Sequence, residues 1–206
     1  MRGPDAPPPA PPDAAAATAL AGALPVLETA RLRLRPPRRG DAADLLALAA
    51  DTEVVRFTPL PRLGSLAEAE ALLARFLAAR ARGEVAPWAL EHPADGRFVG
   101  RCGFVARAWA PAHARAEVAY VLARPYWGRG LMPEALRAVL AFGFERLGLN
   151  RIEATCEPAN QRSARVLEKA GFRCEGVLRD HVFDKGAYLD LQLWAVLRRE
   201  WPPRPR

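Results

Sequence analysis

Hydrophobic and polar residues begin to alternate just after Val26, strictly so through Arg31-Leu32-Arg33-Leu34-Arg35, with leucines on one side and arginines on the other. A period of two predicts a half-buried strand, which Pro36 and Pro37 end. The period then lengthens to three and four. Asp41 is placed to cap a short helix carrying Leu45, Leu46 and Leu48. Ser65 is placed to cap a second helix on a stripe of Leu66, Ala69, Leu72, Leu73 and Phe76, running to Arg82 before Gly83 ends it.

Strand patterns return at Trp88. Trp88–Glu91 and Phe98–Val105 flank Pro93-Ala94-Asp95-Gly96, whose Asp-Gly pair predicts a hairpin. Arg115–Ala123 is a further strand. Residues 131–147 then carry Met132, Leu136, Val139, Leu140, Gly143 and Leu147 at helical steps. Arg151–Cys156 reads as a strand and Asn160–Ala170 as a helix closed by Gly171. Strands Cys174–Phe183 and Tyr188–Val196 are joined through Asp184-Lys185-Gly186. The order is strand, two helices, three strands, helix, strand, helix, two strands. A mixed α/β fold with helices on both faces of one sheet buries all of these, in one domain over residues 25–199. The Pro- and Ala-rich residues 1–24 read as a disordered leader and residues 200–206 as a C-terminal tail.

Composition narrows the function classes. The chain has 206 residues and a formal charge of +7, nearly all of the positive charge on arginine with Lys169 and Lys185 the exceptions. Such a balance suits a cofactor bearing several phosphates, an acidic partner or nucleic acid. The arginines are scattered over every element, and no helix-turn-helix, RRM or zinc signature accompanies them. Three widely spaced cysteines, Cys102, Cys156 and Cys174, offer no disulfide framework and no metal cluster, which points to a reducing cytoplasm. No apolar run reaches the ~20 residues of a membrane span.

The loop Trp127-Gly128-Arg129-Gly130-Leu131 sits where a strand hands over to a helix. Unpaired amides and the helix dipole make such a junction a ready anion site. Gly128 and Gly130 allow backbone to approach a phosphate, and Arg129 adds charge. A P-loop would need a Gly-Lys-Ser/Thr ending, and the dinucleotide fingerprint would need a third glycine where Pro133 stands. A plain strand–helix turn with glycines for packing is the alternative.

Taken with Asn160-Gln161-Arg162-Ser163, Leu167-Glu168-Lys169-Ala170-Gly171-Phe172 and the opening Glu28-Thr29-Ala30-Arg31-Leu32, the segment Tyr126–Leu136 resembles the GNAT acyltransferase superfamily. Within it the chain is similar to the Rim-type branch, which acetylates the N-terminal alanine of ribosomal proteins. The resemblance spans residues 26–198 and departs from the superfamily pattern at Pro125, which has no N–H to offer. It implies a mostly antiparallel sheet of about seven strands, with the strands before and after the glycine loop splayed. It implies acetyl-CoA as co-substrate and direct attack of a primary amine, on a protein N-terminus or a small molecule, without a covalent enzyme intermediate. Backbone of Val121 and Leu122 and the side chain of Asn160 would meet the pantetheine arm. The amides of Trp127, Gly128, Arg129, Gly130, Leu131 and Met132 would hold the pyrophosphate. Glu117 would act as base through a water, and Ser163 would protonate the thiolate.

Each assignment has a plainer rival. Glu117 could serve a strand-end ion pair, Asn160 a helix cap with Ser163 in its first turn, and Tyr120 and Tyr126 aromatic packing. His92 and His113 fall in turns and are expected to be solvated, whereas His181 lies on a late strand that could line a substrate cleft. For the whole chain, an acyl-CoA-binding regulator without catalysis and a basic nucleic-acid-binding domain are the alternatives. A homodimer is compatible with the sequence.

Overall fold

The structure is a computed structural model that describes residues 13–201. In chain order the elements are α1 (Ala14–Ala23), β1 (Leu27–Glu28), β2 (Arg33–Arg35), α2 (Ala42–Ala50), α3 (Thr52–Val55), α4 (Leu66–Ala81), β3 (Trp88–His92) and β4 (Arg97–Phe104). They continue with β5 (Arg115–Leu122), α5 (Leu131–Ala141), β6 (Arg151–Cys156), α6 (Gln161–Ala170), β7 (Arg173–Asp184) and β8 (Ala187–Leu197). The eight strands form one sheet in the order β1-β2-β3-β4-β5-β6-β8-β7. Every neighbouring pair is antiparallel except β5–β6. Sequence leads to about seven strands because residues 27–35 read as one alternating run. The chain instead folds back at Thr29–Leu32, where the Thr29 amide and hydroxyl meet the Leu32 carbonyl at 2.9 Å, and two short strands result.

The sheet separates two cores. On one face α5, α6 and α1 cover Trp88, Phe104, Val118, Leu136, Leu140, Ile152 and Ala154. On the other, α2 to α4 pack Leu45, Leu48, Val54 and Leu73 over Ala89, Phe98 and Val121. Ser65 caps α4 as expected, its hydroxyl accepting from the Glu68 amide. Asp41 does not cap α2 with its side chain. Its carboxylate instead takes Arg35 at 2.6 and 2.9 Å and the Arg38 amide at 2.8 Å, while Glu91 takes Arg35 Nε at 2.6 Å. Arg35 belongs to the polar face of its strand by alternation, but α2 and α4 cover that face and leave it buried. The charge is tolerated because two carboxylates surround it.

Three further expectations change. Residues 14–23, read as part of a disordered leader, form α1. Asp13 caps it through the Ala15 and Ala16 amides. Ala17, Ala21 and Leu24 are buried, and Trp109 Nε1 donates to Thr18 Oγ1 at 2.8 Å. Alanines give no hydrophobic stripe, but their small size lets the helix lie close to the body. Residues 1–12 of that leader and residues 202–206 of the tail fall outside the described residues. The helix expected over 131–147 is α-helical only to Ala141 and continues as a π turn, Phe142–Arg146. A Cβ on Gly143 would stand 2.7 Å from Ile152 Cδ1, so glycine is what lets this turn press on β6. His92, expected in solvent, is buried with its ring 5.5 Å from that of Tyr126.

Arg35→Met should leave Asp41 and Glu91 only the more exposed Arg38, at 3.5 and 3.0 Å, as a close cationic partner, and lower stability by about 3 kcal/mol, the low end for a broken buried pair, read as a shift in the urea midpoint. A midpoint within experimental error of the parent would mean that Arg38 alone compensates the two carboxylates.

Candidate active site

β5 and β6 pair at three positions only, Arg115↔Arg151, Ala116↔Ile152 and Glu117↔Glu153. Past Glu117 they part. β5 stays with β4 as far as Leu122, β6 stays with β8 as far as Cys156, and a slot opens between them. Alternation of the antiparallel ladder decides which backbone groups line it. Glu117 O accepts from Val105 N at 2.9 Å and Ala123 N donates to Val99 O at 2.8 Å, so the odd-numbered residues of β5 spend their backbone on β4. Val121, expected to offer its backbone to a ligand, therefore has it committed opposite Arg101. Val118, Tyr120 and Leu122 turn theirs to the slot. The Leu122 carbonyl is taken by Trp127 Nε1 at 2.7 Å, which leaves its N–H.

Side chains alternate as well. Glu117, Ala119 and Val121 face the α2–α4 side, and Ala119 is exposed in mid-sheet because those helices stop short of it. Glu117 Oε1 accepts from Thr155 Oγ1 at 2.9 Å, and among the described residues no cation pairs with it. The neighbouring Glu153 is neutralised by Arg151 at 2.6 Å and Arg115 at 3.7 Å. Glu117 is thus a carboxylate over an open groove with no resident positive charge.

Behind the sheet, Tyr120 Oη lies 2.6 Å from Ser163 Oγ. Asn160 caps α6, its Oδ1 accepting from the Ser163 amide at 3.1 Å, so the plainer reading of that residue holds and its NH2 group is left over. Cys156 ends β6 beside them, with Sγ 3.7 Å from Gln192 Oε1. Burial raises the Tyr120 phenol above the ordinary tyrosine range, against the opposing pull of its bond to Ser163. The phenol is therefore protonated rather than an anion at neutral pH, and either hydroxyl of the pair can donate to the other. Aromatic packing was the plainer expectation for Tyr120; the pattern of alternation places its ring but gives no sign of the hydroxyl's partner.

The glycine loop lies at the mouth of the slot. Gly130, at φ 76°, is the N-cap of α5, and Gly128, at φ 73°, has open space where a Cβ would be. Among the described residues, no loop carbonyl or side chain takes the amides of Gly128, Arg129, Gly130, Leu131 or Met132. The Trp127 amide is the exception among the expected donors, bonding Arg124 O at 3.1 Å. Five free N–H groups at the positive end of an 11-residue helix make a cradle for an anion. Arg129 adds charge, its guanidinium 5.4 Å from the Tyr126 ring.

Two features were not anticipated from sequence. Glu134, in the first turn of α5, binds Arg31 of the opening segment at 2.7 Å. Lys185, at the tip of the β7–β8 hairpin, donates to the carbonyls of Val55, Arg56 and Thr58 at 3.1, 2.8 and 3.1 Å, fastening the hairpin to the end of α3. His181 is exposed on that hairpin. No residue pattern announces the lysine, because its partners are backbone groups.

Comparison with known proteins agrees with this geometry. The family described as Acetyltransferase (GNAT) domain matches residues 31–173. The N-acetyltransferase YoaA of Bacillus subtilis, itself uncharacterized, is 33% identical over 84% of this chain and 97% of its own length. The [ribosomal protein uS5]-alanine N-acetyltransferase of Escherichia coli is 29% identical over 59% of this chain and 62% of its own. Among solved structures, Mycobacterium smegmatis RimJ in complex with CoA-disulfide superposes with a TM-score of 0.76 at 28% identity, covering 88% of this chain and 91% of that one.

The three thiols report on the slot independently. Cys174 is exposed, Cys156 is buried at the slot's end, and Cys102 is fully enclosed under the sheet. Burial raises the thiols of both Cys102 and Cys156 and so suppresses the reactive thiolate. Alkylation followed by mass spectrometry should find Cys174 modified first, Cys156 more slowly, and Cys102 only after unfolding. Early modification of Cys102 would contradict the packing of β4.

Proposed function

Because the chain belongs to the GNAT acetyltransferase family and is thereby an acetyl-CoA-dependent N-acetyltransferase, we propose that it delivers acetyl across the β5–β6 slot directly to the amine of a protein N-terminus. One observation carries the reading. The slot has an unpaired carboxylate, Glu117, on one face and a protonated phenol–hydroxyl pair, Tyr120 and Ser163, on the other.

The family uses acetyl-CoA, and the residues present fit it. The open space at Gly128 and the free amides of Gly128 to Met132 would receive the pyrophosphate, with Arg129 alongside. The Asn160 NH2 group and the rim of β5 at Tyr120 and Leu122 would receive the pantetheine arm. The bound thioester supplies an activated acyl group and a thiol leaving group.

The protein's own groups do the rest. An α-amine titrates near ~8, so much of it is protonated at neutral pH and must lose a proton before it can attack. Glu117 attracts the ammonium and takes that proton, directly or through a water. A slot-facing N–H of β5 polarises the carbonyl, and Ser163, backed by the Tyr120 phenol, returns a proton to the departing sulfur. Two observations favour a protein N-terminus as acceptor. Ala119 is exposed beside Glu117, so a chain end can reach the carboxylate from solvent, and the similar E. coli enzyme is named for a ribosomal protein's alanine. A cytoplasmic site of action fits the free thiols, and no described helix is long and apolar enough to cross a membrane.

Gly128→Val should raise the KM for acetyl-CoA strongly, since its methyls enter the anion's space and its φ disfavours a β-branched residue. An unaltered KM would sink the assignment of the loop. Glu117→Gln should lower kcat/KM for the amine by about 10²-fold while acetyl-CoA affinity holds. If the rate and its pH profile survive, the base lies elsewhere. Thiol release measured against alanine-starting peptides, polyamines and aminoglycosides should favour the peptides; a preference for the small amines would overturn the acceptor reading.

A further inference from the structure

The opening segment Thr29–Leu32 has no part in the scheme above, yet it reaches the glycine loop from across the sequence. Glu134 Oε1 receives Thr29 Oγ1 at 2.6 Å and the Arg31 amide at 2.8 Å, while Oε2 receives Arg31 Nε at 2.8 Å and Nη2 at 2.7 Å. The remaining arm of the same guanidinium, Nη1, donates to the carbonyl of Arg129 at 2.8 Å. Arg31 Nη2 also lies 3.6 Å from where a Gly130 Cβ would be, so the group is packed along the loop's back. Burial would raise the Glu134 carboxyl, but these bonds outweigh it and hold the pKa below the ordinary range, so Glu134 is ionised.

We infer that Arg31 is a positioning residue for the cofactor loop, setting the direction of its amides. The argument is one of peptide geometry. In a trans peptide the C=O and N–H of one unit point to opposite sides. Anchoring the Arg129 carbonyl toward Arg31 therefore aims the Gly130 N–H away from it, to the side where no protein group accepts it. Gly130 and Gly128 are both in the left-handed region and lack side chains to hold them, so the loop would otherwise sample other orientations. Glu134 fixes the guanidinium in turn, because a planar fork held at two edges cannot swing. Arg31 has a second effect. Glu134 stands one turn inside the helix end that would receive phosphate, where its charge opposes an incoming anion. The arginine cancels it.

This role presupposes that the loop binds the acetyl-CoA pyrophosphate. The test compares Arg31→Ala and Arg31→Lys by steady-state kinetics in acetyl-CoA, with CoA binding by calorimetry and Gly128→Val as reference. Arg31→Ala should raise KM about tenfold with kcat within about twofold, the loss expected for one charge-assisted hydrogen bond. Arg31→Lys keeps the charge and the backbone bond to Glu134 Oε1 but cannot hold Glu134 Oε2 and the Arg129 carbonyl from one rigid plane, so its KM should stay clearly raised. Lysine restoring the parent KM would overturn the inference, since charge alone would then suffice. An unchanged KM in the alanine variant, or a fall in kcat alone in both, would overturn it too, the latter marking a loss of folded molecules. If Arg31→Ala does not fold, the lysine variant decides. A normal KM in Gly128→Val would instead condemn the loop assignment itself, whereas an impaired Gly128→Val beside a normal Arg31→Ala removes only the role of Arg31.

Discussion

The constraint on which the rest depends is that one strand pair stops early. β5 and β6 share three paired positions and then follow different partners, β5 with β4 and β6 with β8. A sheet interior normally leaves no backbone group unpaired, because each would forgo a hydrogen bond in a dry environment. Here the edge is opened in mid-sheet, and the exposed groups become available to a ligand. Because β5 and β6 form the one parallel pair among the described strands, the connection between them must cross over, and the crossover is α5. The same topological requirement that opens the slot thus also brings a helix N-terminus to its mouth.

Much of this was legible in the chain. The hairpin around Asp95-Gly96, the caps at Ser65 and Asn160, the glycine that closes α6 and the loop entering α5 all rest on local chemistry, and local chemistry is written in neighbouring residues. The readings that changed depend on what lies opposite. Arg35 sits on the polar side of an alternating run, but α2 and α4 cover that side. The seeming single strand over residues 27–35 is two, because a turn at Thr29–Leu32 leaves the alternation of polarity undisturbed. α1 was missed because an alanine helix declares no face.

The site shows the same division. Glu117 and Ser163 lie beside the slot, on opposite faces of the sheet, a distinction that follows from one-residue alternation once the ladder is known. Val121 and Tyr120 exchange places as ligand-facing backbone for the same reason. Sequence gives the strand but not its phase relative to β4, and the phase is fixed by the unbroken ladder from Val99 to Val105. The partners of Arg31 and Lys185 were out of reach altogether. One closes on a carboxylate a hundred positions away, and the other on bare carbonyls.

The fastening at Lys185 has a mechanical consequence. β7 is exposed over most of its length and β8 over its first residues, which by itself describes a freely waving arm. With its root held in the sheet by β6 and its tip held on α3, the arm becomes a beam supported at both ends. Such a beam cannot swing as a lid; it can only bow. Bowing concentrates where the ladder is already interrupted, between Leu178 and Val182, where Asp180 takes a positive φ and its amide leans on the Asp190 carboxylate. A second interruption nearer the root, between Cys174 and Gly176, gives the span two places to yield, so a load on its middle is shared between them and not carried to the tip.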